Sequence, residues 1–210
     1  MKVAILTSEN QWFVPHAKVL QQQIENSSLF FNHKEINDDY ETIFILAYHE
    51  IIPLKYLKKH KHNLVIHESA LPQGKGWAPL FWQVLENKNE IPFTMIEASD
   101  HVDSGDIYMQ KKLLLNGSEL NEELRKKQAD LSIQMCLEFL NHYDKYQTPK
   151  QQQGKESFYP KRLAQDSQLD LSKSINEQFN LLRTVNNEDY PAFFIKDNQK
   201  YKITIEKMES

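Results

Sequence analysis

Cysteine, long apolar runs and long basic runs are scarce or missing in this sequence of 210 residues. The single cysteine, Cys136, excludes an internal disulfide framework, and its apolar neighbours Met135 and Leu137 are typical of helix packing. No apolar run approaches the roughly 20 residues that a membrane-spanning helix needs, and the N-terminal residues MKVAILTS lack the pattern of a signal peptide. We therefore expect a cytoplasmic protein with no membrane partner.

The charge pattern also excludes classes of partner. A formal net charge of −4 without a long basic run gives no electrostatic footprint for nucleic acid. The eight histidines show no metal-ligand spacing, and a His/Asp pair would lack a third ligand, so we predict no metal site. The segment from Ser8 to Trp12 contains no glycine, which argues against the glycine-rich loop that binds phosphate in ordinary mononucleotide-binding folds.

Strand-like and helix-like runs alternate through the first part of the chain and predict an α/β fold. Residues 2 to 7 form an aliphatic strand-like run, and apolar positions at helical spacing follow over residues 14 to 24. A second strand is expected near residues 29 to 31, and the continuous apolar run at residues 42 to 47 predicts a central strand. A strand feeding a helix indicates a parallel βαβ unit.

The later part of the chain predicts helices, a linker and a hairpin. Residues 54 to 62 indicate a short helix with a solvated basic face, and residues 119 to 143 indicate a long packing helix. The polar segment TPKQQQGK at residues 148 to 155 predicts a boundary between a catalytic domain, residues 1–146, and a small C-terminal subdomain, residues 147–210. In that subdomain we expect a helix and a hairpin, whose aromatic residues could cover the core or form a homodimer seam: Phe179, Phe193, Phe194 and Tyr201.

Two turn-rich loops follow predicted strands in the middle of the chain. The run at residues 63 to 66 leads to His67 and to a loop with Pro72, Gly74 and Gly76, which continues neither a strand nor a helix. The run at residues 91 to 98 leads to Asp103 in a second such loop. An imidazole and a carboxylate that meet at strand ends are a common acid–base pair, which could serve many hydrolases or transferases.

The motifs in these loops resemble the folate-dependent formyltransferase family. HESALP at residues 67–72, GKGWAP at 74–79 and VDSGDI at 102–107 are similar to the HxSxLP and D-[ST]-G-D-I loops that the family carries at this separation. YHEIIP at residues 48–53 resembles the family segment that lines the folate pocket. The resemblance implies a Rossmann-like open sheet with flanking helices, a small C-terminal helix and hairpin, and N10-formyltetrahydrofolate as formyl donor.

The resemblance also implies roles for individual residues. His67 would donate a hydrogen bond to the formyl oxygen, and Asp103 would orient His67 and help to take the amine proton. The implied folate-binding residues are Tyr48, Ile51, Ile52, Ser99, Asp100 and Val102. The implied acceptor-binding residues are Ser69, Gly74, Lys75, Gly76 and Trp77, where the glycines and the lysine could approach a phosphate and the tryptophan could stack on a sugar or base.

The C-terminal part resembles family members that formylate amino sugars on nucleotide carriers, through YPKR at residues 159–162 and PAFF at residues 191–194. This implies a nucleotide-linked 4-amino-4,6-dideoxysugar as acceptor and a formylated sugar for surface polysaccharide as product. Enzymes that formylate initiator methionyl-tRNA continue into a further β-barrel, which only residues beyond Ser210 could supply, so tRNA is not the expected acceptor. The alternatives are another acceptor, such as glycinamide ribonucleotide or water in a deformylase, and a non-catalytic folate or sugar-nucleotide binding module.

One position departs from the family pattern. The family usually has an asparagine two residues before the histidine, where its amide helps to hold the formyl oxygen, and this chain has Val65 there. Asn63 lies on the same strand face as His67, although its backbone is roughly 13 Å away at about 3.3 Å per residue. Asn63, another side chain or water could replace the missing amide, or the site could work without it.

Overall fold

Four parallel strands form the first part of the central sheet in the computed structural model, which describes residues 1–208. Strand β1 (Val3–Leu6) leads through helix α1 (Val14–Gln23) to β2 (Ser27–Phe30), and β3 (Thr42–Ile45) then pairs with the other side of β1. The short helix α2 (Leu54–Leu57) precedes β4 (His62–His67), which pairs with β3. The predicted βαβ unit is confirmed.

Two antiparallel strands complete the sheet. After β5 (Lys75–Gly76) and α3 (Pro79–Leu85), β6 (Glu90–Glu97) pairs antiparallel with β4, and β7 (Ile107–Leu114) pairs with β6. The strand order is β2-β1-β3-β4-β6-β7, so the prediction that β3 is central is confirmed. The edge strand β7 was not predicted, because Gln110 and Lys112 face solvent and interrupt its apolar pattern.

Each face of the sheet is covered by its own apolar cluster. One face packs against α1, α3 and the long helix α4 (Asn121–Asn141), around Phe44, Leu64 and Phe139. The other face has a smaller cluster around Ile43, and Val65 packs against its edge. Cys136 is buried in the first cluster as a free thiol, which confirms its packing role.

The last part of the chain adds a short helix and a hairpin. Strand β8 (Phe158–Tyr159) pairs with β5, helix α5 (Phe179–Thr184) follows, and β9 (Ala192–Lys196) pairs antiparallel with β10 (Gln199–Ile203). The predicted hairpin is confirmed, whereas the α-helix is shorter than predicted because a 3-10 turn occupies residues Asn176–Gln178.

A buried ion pair joins this part to the core. Arg183 is 1% exposed, and its Nη1 lies 3.5 Å from Oε2 of Glu119. Burial by itself would raise the pKa of Glu119, but hydrogen bonds from Lys127 and from backbone N–H groups outweigh burial and lower that pKa to about 2. The charged form of Glu119 is therefore the one that the folded chain favours.

The strand order also locates a crevice. The chain leaves β1 toward β2 on one side, and β3 lies on the other side of β1, so the order reverses between β1 and β3. In open α/β sheets, ligands bind beyond the carboxyl ends of the strands at such a point. Among residues 1–208, no helix is long and apolar enough to cross a membrane.

Candidate active site

His67 and Asp103 lie together although they come from different loops. His67 is the last residue of β4, and its Nδ1 is 3.5 Å from Oδ1 of Asp103. Both side chains are buried, with 8% and 9% of their surfaces exposed. The structure therefore brings together the two residues that the sequence proposes as an acid–base pair.

The second nitrogen of His67 is also engaged. Its Nε2 lies 2.8 Å from the carbonyl oxygen of Gly74. Because a carbonyl oxygen only accepts hydrogen bonds, Nε2 carries a hydrogen and the ring orientation is fixed, with Nδ1 toward the carboxylate. The Nε2 side of the ring thus faces the Gly74 carbonyl, and the Nδ1 side faces Asp103.

Asp103 reaches His67 because its loop folds back along the sheet. The loop starts beside Asn63, where the Ala98 N–H donates to the Asn63 carbonyl oxygen at 2.6 Å, but Asp103 lies at the other end of β4. Gly105 permits this path, since a Cβ atom there would lie 1.6 Å from the Glu97 carbonyl oxygen. The loop consequently runs from the start of β4 to its end.

The loop from Gly74 to Gly76 supports the pair from the other side. The Gly76 N–H donates to Oδ2 of Asp103 at 2.9 Å, which leaves Oδ1 facing His67. Gly76 has a φ of +98°, and a Cβ atom there would lie 2.4 Å from the Tyr159 carbonyl oxygen. Only glycine fits this close approach without strain.

Residues 150–159, which we call the strap, hold both loops in place. Nε2 of Gln152 donates to the carbonyl oxygens of Asp103 and Gly105, at 2.9 and 2.8 Å. The Gly74 N–H donates to Oγ of Ser157 at 2.9 Å. These residues were not predicted as part of the site, because a polar composition predicts a linker and gives no sign that its side chains bind loop carbonyls.

Lys75 is enclosed by the same segments. Its side chain is 3% exposed, and Nζ lies 2.9 Å from Oγ of Ser104 and 2.5 Å from Oε1 of Glu156. Together with the engaged N–H groups of Gly74 and Gly76, this leaves the predicted phosphate-binding donors occupied within the chain. A substrate role for these three residues stays a prediction, and it requires that a ligand displace these contacts.

Ser69 differs from its neighbours in the loop. It is 2% exposed, and its hydroxyl has no hydrogen-bond partner among residues 1–208. Its backbone carbonyl oxygen accepts from Oγ1 of Thr94 at 2.6 Å, so the backbone is fixed and the hydroxyl is free. Of the predicted acceptor-binding residues, Ser69 has an unused polar group close to His67.

The proposed folate-binding residues lie in two loops. Tyr48 is fixed, with its hydroxyl 2.8 Å from Nδ1 of His33, and Ile52 packs against the smaller apolar cluster. Ile51 is 75% exposed and Val102 is 64% exposed, so each loop presents an apolar side chain to solvent. Ser99 and Asp100 lie in the Val102 loop, where Oγ of Ser99 donates to the His101 carbonyl oxygen at 2.7 Å. The exposed apolar side chains suit a flat aromatic ligand.

Asn63 does not take the place of the family asparagine. Its amide donates to the Leu57 carbonyl oxygen at 3.0 Å and to Oε1 of Glu97 at 3.2 Å, and its side chain is buried. That alternative is therefore wrong in this structure, because the amide already satisfies a partly buried carboxylate. Burial is also the first cause that raises the pKa of Glu97, which hydrogen bonds from Asn63 and Tyr108 oppose. Val65 has Ile45 and Ile96 beside it in the sheet and supplies no donor.

The two tryptophans after the glycine loop have different surroundings. Trp82 donates from Nε1 to the Pro160 carbonyl oxygen at 2.8 Å and stacks on the Tyr159 ring, so it anchors α3 to the strap. Trp77 is 49% exposed, with Nζ of Lys161 5.0 Å from its ring centroid. Trp77 is therefore the tryptophan that remains available for a sugar or base.

Comparison with known proteins gives a consistent family. Residues 1–140 match the family model described as "Formyl transferase". The chain is 25% identical over 190 residues to methionyl-tRNA formyltransferase of Thermodesulfovibrio yellowstonii, covering 90% of this chain and 61% of that protein. It is 31% identical over 166 residues to that of Natranaerobius thermophilus, covering 77% and 52%. The chain thus spans only about half to three fifths of these curated relatives.

Solved structures share the fold. Methionyl-tRNA formyltransferase from Clostridium thermocellum superposes with a TM-score of 0.81 at 20% identity, covering all of this chain and 94% of that chain. A sugar N-formyltransferase from a Shewanella species gives 0.71 at 16%, covering 100% and 99%. HypX from Aquifex aeolicus in complex with tetrahydrofolic acid gives 0.72 at 15%, covering 98% and 37%. At these identities the likeness is one of fold.

Proposed function

This chain belongs to the formyl transferase family, and from that premise we propose that it moves a formyl group from N10-formyltetrahydrofolate to the amino group of a nucleotide-linked 4-amino-4,6-dideoxysugar. The family uses N10-formyltetrahydrofolate as its formyl donor, and the HypX structure contains tetrahydrofolic acid. The observation that carries the proposal is the buried pair of His67 and Asp103, held by Gly74, Gly76 and the strap.

The proposed reaction needs a hydrogen-bond donor and a proton acceptor. The amine lone pair attacks the formyl carbon, the bond from that carbon to N10 breaks, and the amine proton leaves so that N10 can be protonated. In our proposal His67 leaves the Gly74 carbonyl and donates from Nε2 to the formyl oxygen, while Asp103 orients His67, takes the amine proton and passes it to N10. Burial of both side chains strengthens these interactions because little water screens them.

The residues around the pair are compatible with a folate donor. The exposed apolar side chains of Ile51 and Val102 would contact the pterin ring, and Val65 would lie beneath it. Tyr48, Ile52, Ser99 and Asp100 would complete this pocket, as the family resemblance implies.

Chemistry near the crevice supports an amino sugar carried on a nucleotide. Trp77 offers an exposed ring with Lys161 beside it, a combination that suits a sugar or base next to a phosphate. The overall charge of −4 does not favour the long phosphate backbone of tRNA. The curated relatives nevertheless make initiator methionyl-tRNA the second candidate acceptor, since those named above are methionyl-tRNA formyltransferases.

A direct assay tests the acceptor. The protein is incubated with N10-formyltetrahydrofolate and, separately, with nucleotide-linked amino sugars, glycinamide ribonucleotide, methionyl-tRNA or buffer, and the products are identified by mass spectrometry. We expect a formylated sugar. Formyl-methionyl-tRNA, formylated ribonucleotide or free formate as the main product would replace the proposed acceptor, and no product with any acceptor would refute the transfer activity.

A further inference from the structure

Arg125 occupies an unusual place beside the crevice. It lies in the second turn of α4, and its guanidinium carbon is 4.4 Å from the ring centroid of Trp12 and 4.4 Å from that of Phe81. Trp12 comes from the loop after β1, and Phe81 comes from α3, directly after the glycine loop. Two aromatic rings thus contact the guanidinium close to the point where the strand order reverses.

The charge of Arg125 has no direct counter-ion. Among residues 1–208, no carboxylate oxygen lies within 4.0 Å of its guanidinium. Its Nη1 donates to Oε1 of Gln128 at 3.1 Å, and Nε2 of Gln128 donates to Oε1 of Glu68 at 2.6 Å. Gln128 therefore stands between the arginine and the carboxylate that follows His67, and the other guanidinium N–H groups are left for a ligand.

His49, which follows the carboxyl end of β3, is affected by the positive charge of Arg125. Burial lowers the pKa of His49, and the positive charges of Lys161 and Arg125 lower it further. Burial also lowers the pKa of Arg125 to about 10, with Glu68 opposing this change, so the guanidinium stays charged at neutral pH. Lys161 and Arg125 are thus the two cations whose charges act on His49.

We propose that Arg125 binds a phosphate group of the acceptor, with Lys161 as a second cation, an inference that rests on the proposed function. A guanidinium presents paired N–H donors in one plane, which matches two oxygens of a phosphate. The rings of Trp12 and Phe81 contact the guanidinium before the ligand arrives, so less side-chain entropy is lost on binding. The glycine-loop donors are engaged within the chain, whereas those of Arg125 are available.

The test measures binding without turnover. Inorganic pyrophosphate is titrated into the wild-type protein, Arg125→Lys, Arg125→Gln and Lys126→Gln, with heat release as the signal. Lys126 is the matched control, because it is the next residue in α4 and its Nζ pairs with Asp130 at 2.7 Å on the exposed side. We expect affinity to fall at least about tenfold in Arg125→Gln and severalfold in Arg125→Lys, and to stay unchanged in Lys126→Gln.

Arg125→Lys keeps the charge and some of the ring contact, so it serves as the folded variant if Arg125→Gln unfolds. No binding to the wild-type protein, or equal binding to the wild-type protein and Arg125→Lys, would overturn the inference. Malonate, which carries two carboxylates and no phosphate, serves as a competitor. If malonate competes as well as pyrophosphate, the inference is overturned, because the site would then bind dianions in general.

Assays of formyl transfer distinguish failure of the phosphate inference from failure of the proposed function. If transfer occurs, Arg125→Lys should raise the acceptor KM severalfold with little change in kcat, and an unchanged KM refutes the phosphate role alone. If no acceptor is formylated but pyrophosphate binding still depends on Arg125, the phosphate site stands and the transferase proposal fails.

Discussion

Replacing Val65 with asparagine should accelerate formyl transfer. Val65 precedes His67 by two residues on the same strand face, and the Asp103 carboxylate lies beside His67. An amide at this position would point toward the space beside His67, where charge develops on the formyl oxygen. The wild-type chain has only an apolar side chain there, and the amide of Asn63 is engaged with Leu57 and Glu97.

The substitution should change both kcat and the stability of the fold, and each change can be estimated. One donor to a developing oxyanion contributes about a hundredfold to a thousandfold in rate. The surrounding residues have not packed to orient an amide at position 65, so we expect an increase in kcat of about tenfold to a hundredfold. Against this, Val65 is partly buried between Ile45 and Ile96, and its replacement by a polar group should cost about 2 kcal/mol of stability, or about 4–8 °C in Tm.

The assay is single-turnover formyl transfer with saturating N10-formyltetrahydrofolate and the acceptor that the product assay yields. Val65→Leu is the control, since leucine has nearly the shape of asparagine but no donor. A rate increase in both variants would show that shape rather than hydrogen bonding limits the reaction. No increase in a folded Val65→Asn protein would refute the reasoning that the site lacks a second donor, besides His67, to the formyl oxygen.

Three further predictions concern the pair, the strap and the buried carboxylate. His67→Asn and Asp103→Asn should each lower kcat at least about a hundredfold with the circular dichroism spectrum unchanged, and near-normal turnover in either would contradict their proposed roles. Gln152→Ala should lower kcat about tenfold through the loss of two contacts to the Asp103 loop, whereas Gln153→Ala, at an exposed position, should not; equal effects would contradict a positioning role. The pKa of Glu119 is about 2 in the folded chain against 4.5 ordinarily, so its contribution of up to about 3 kcal/mol is present above pH 4.5 and is lost as pH falls toward 2. Urea unfolding at pH 6 and pH 3 should show the stability gap between the wild-type protein and Glu119→Gln narrowing at the lower pH, and a constant gap would contradict this assignment.

Local patterns predicted the elements whose residues share one environment. The strand β3 is apolar on both faces because both are covered, and this continuous pattern marks a central strand without any knowledge of its neighbours. The edge strand β7 has one side open to solvent, so its lysines and glutamine interrupt the apolar pattern from which a strand is predicted. A sequence pattern thus shows how a segment is buried, and it fails where burial is incomplete.

The parts of the site that were missed depend on contacts between distant segments. The motifs placed His67 and Asp103 together, but the partner of Asn63 is Glu97, which no periodicity could reveal. A flexible linker and the strap are both rich in polar residues, so their compositions look alike. Only the fold brings Gln152 to the Asp103 loop. Likewise, Arg125 belongs to none of the sequence motifs, and its aromatic neighbours come from two other segments.

The strap has a consequence for exchanging parts between relatives. A chimera joined near residue 146 would replace the strap together with the C-terminal helix and hairpin, and it would remove the donors that fix the Asp103 loop and the partner of Lys75. Such a graft would change turnover even when it was intended to change only the acceptor. A junction after Tyr159 would retain the strap with the loops that it holds, so chemistry and acceptor choice could then be altered separately.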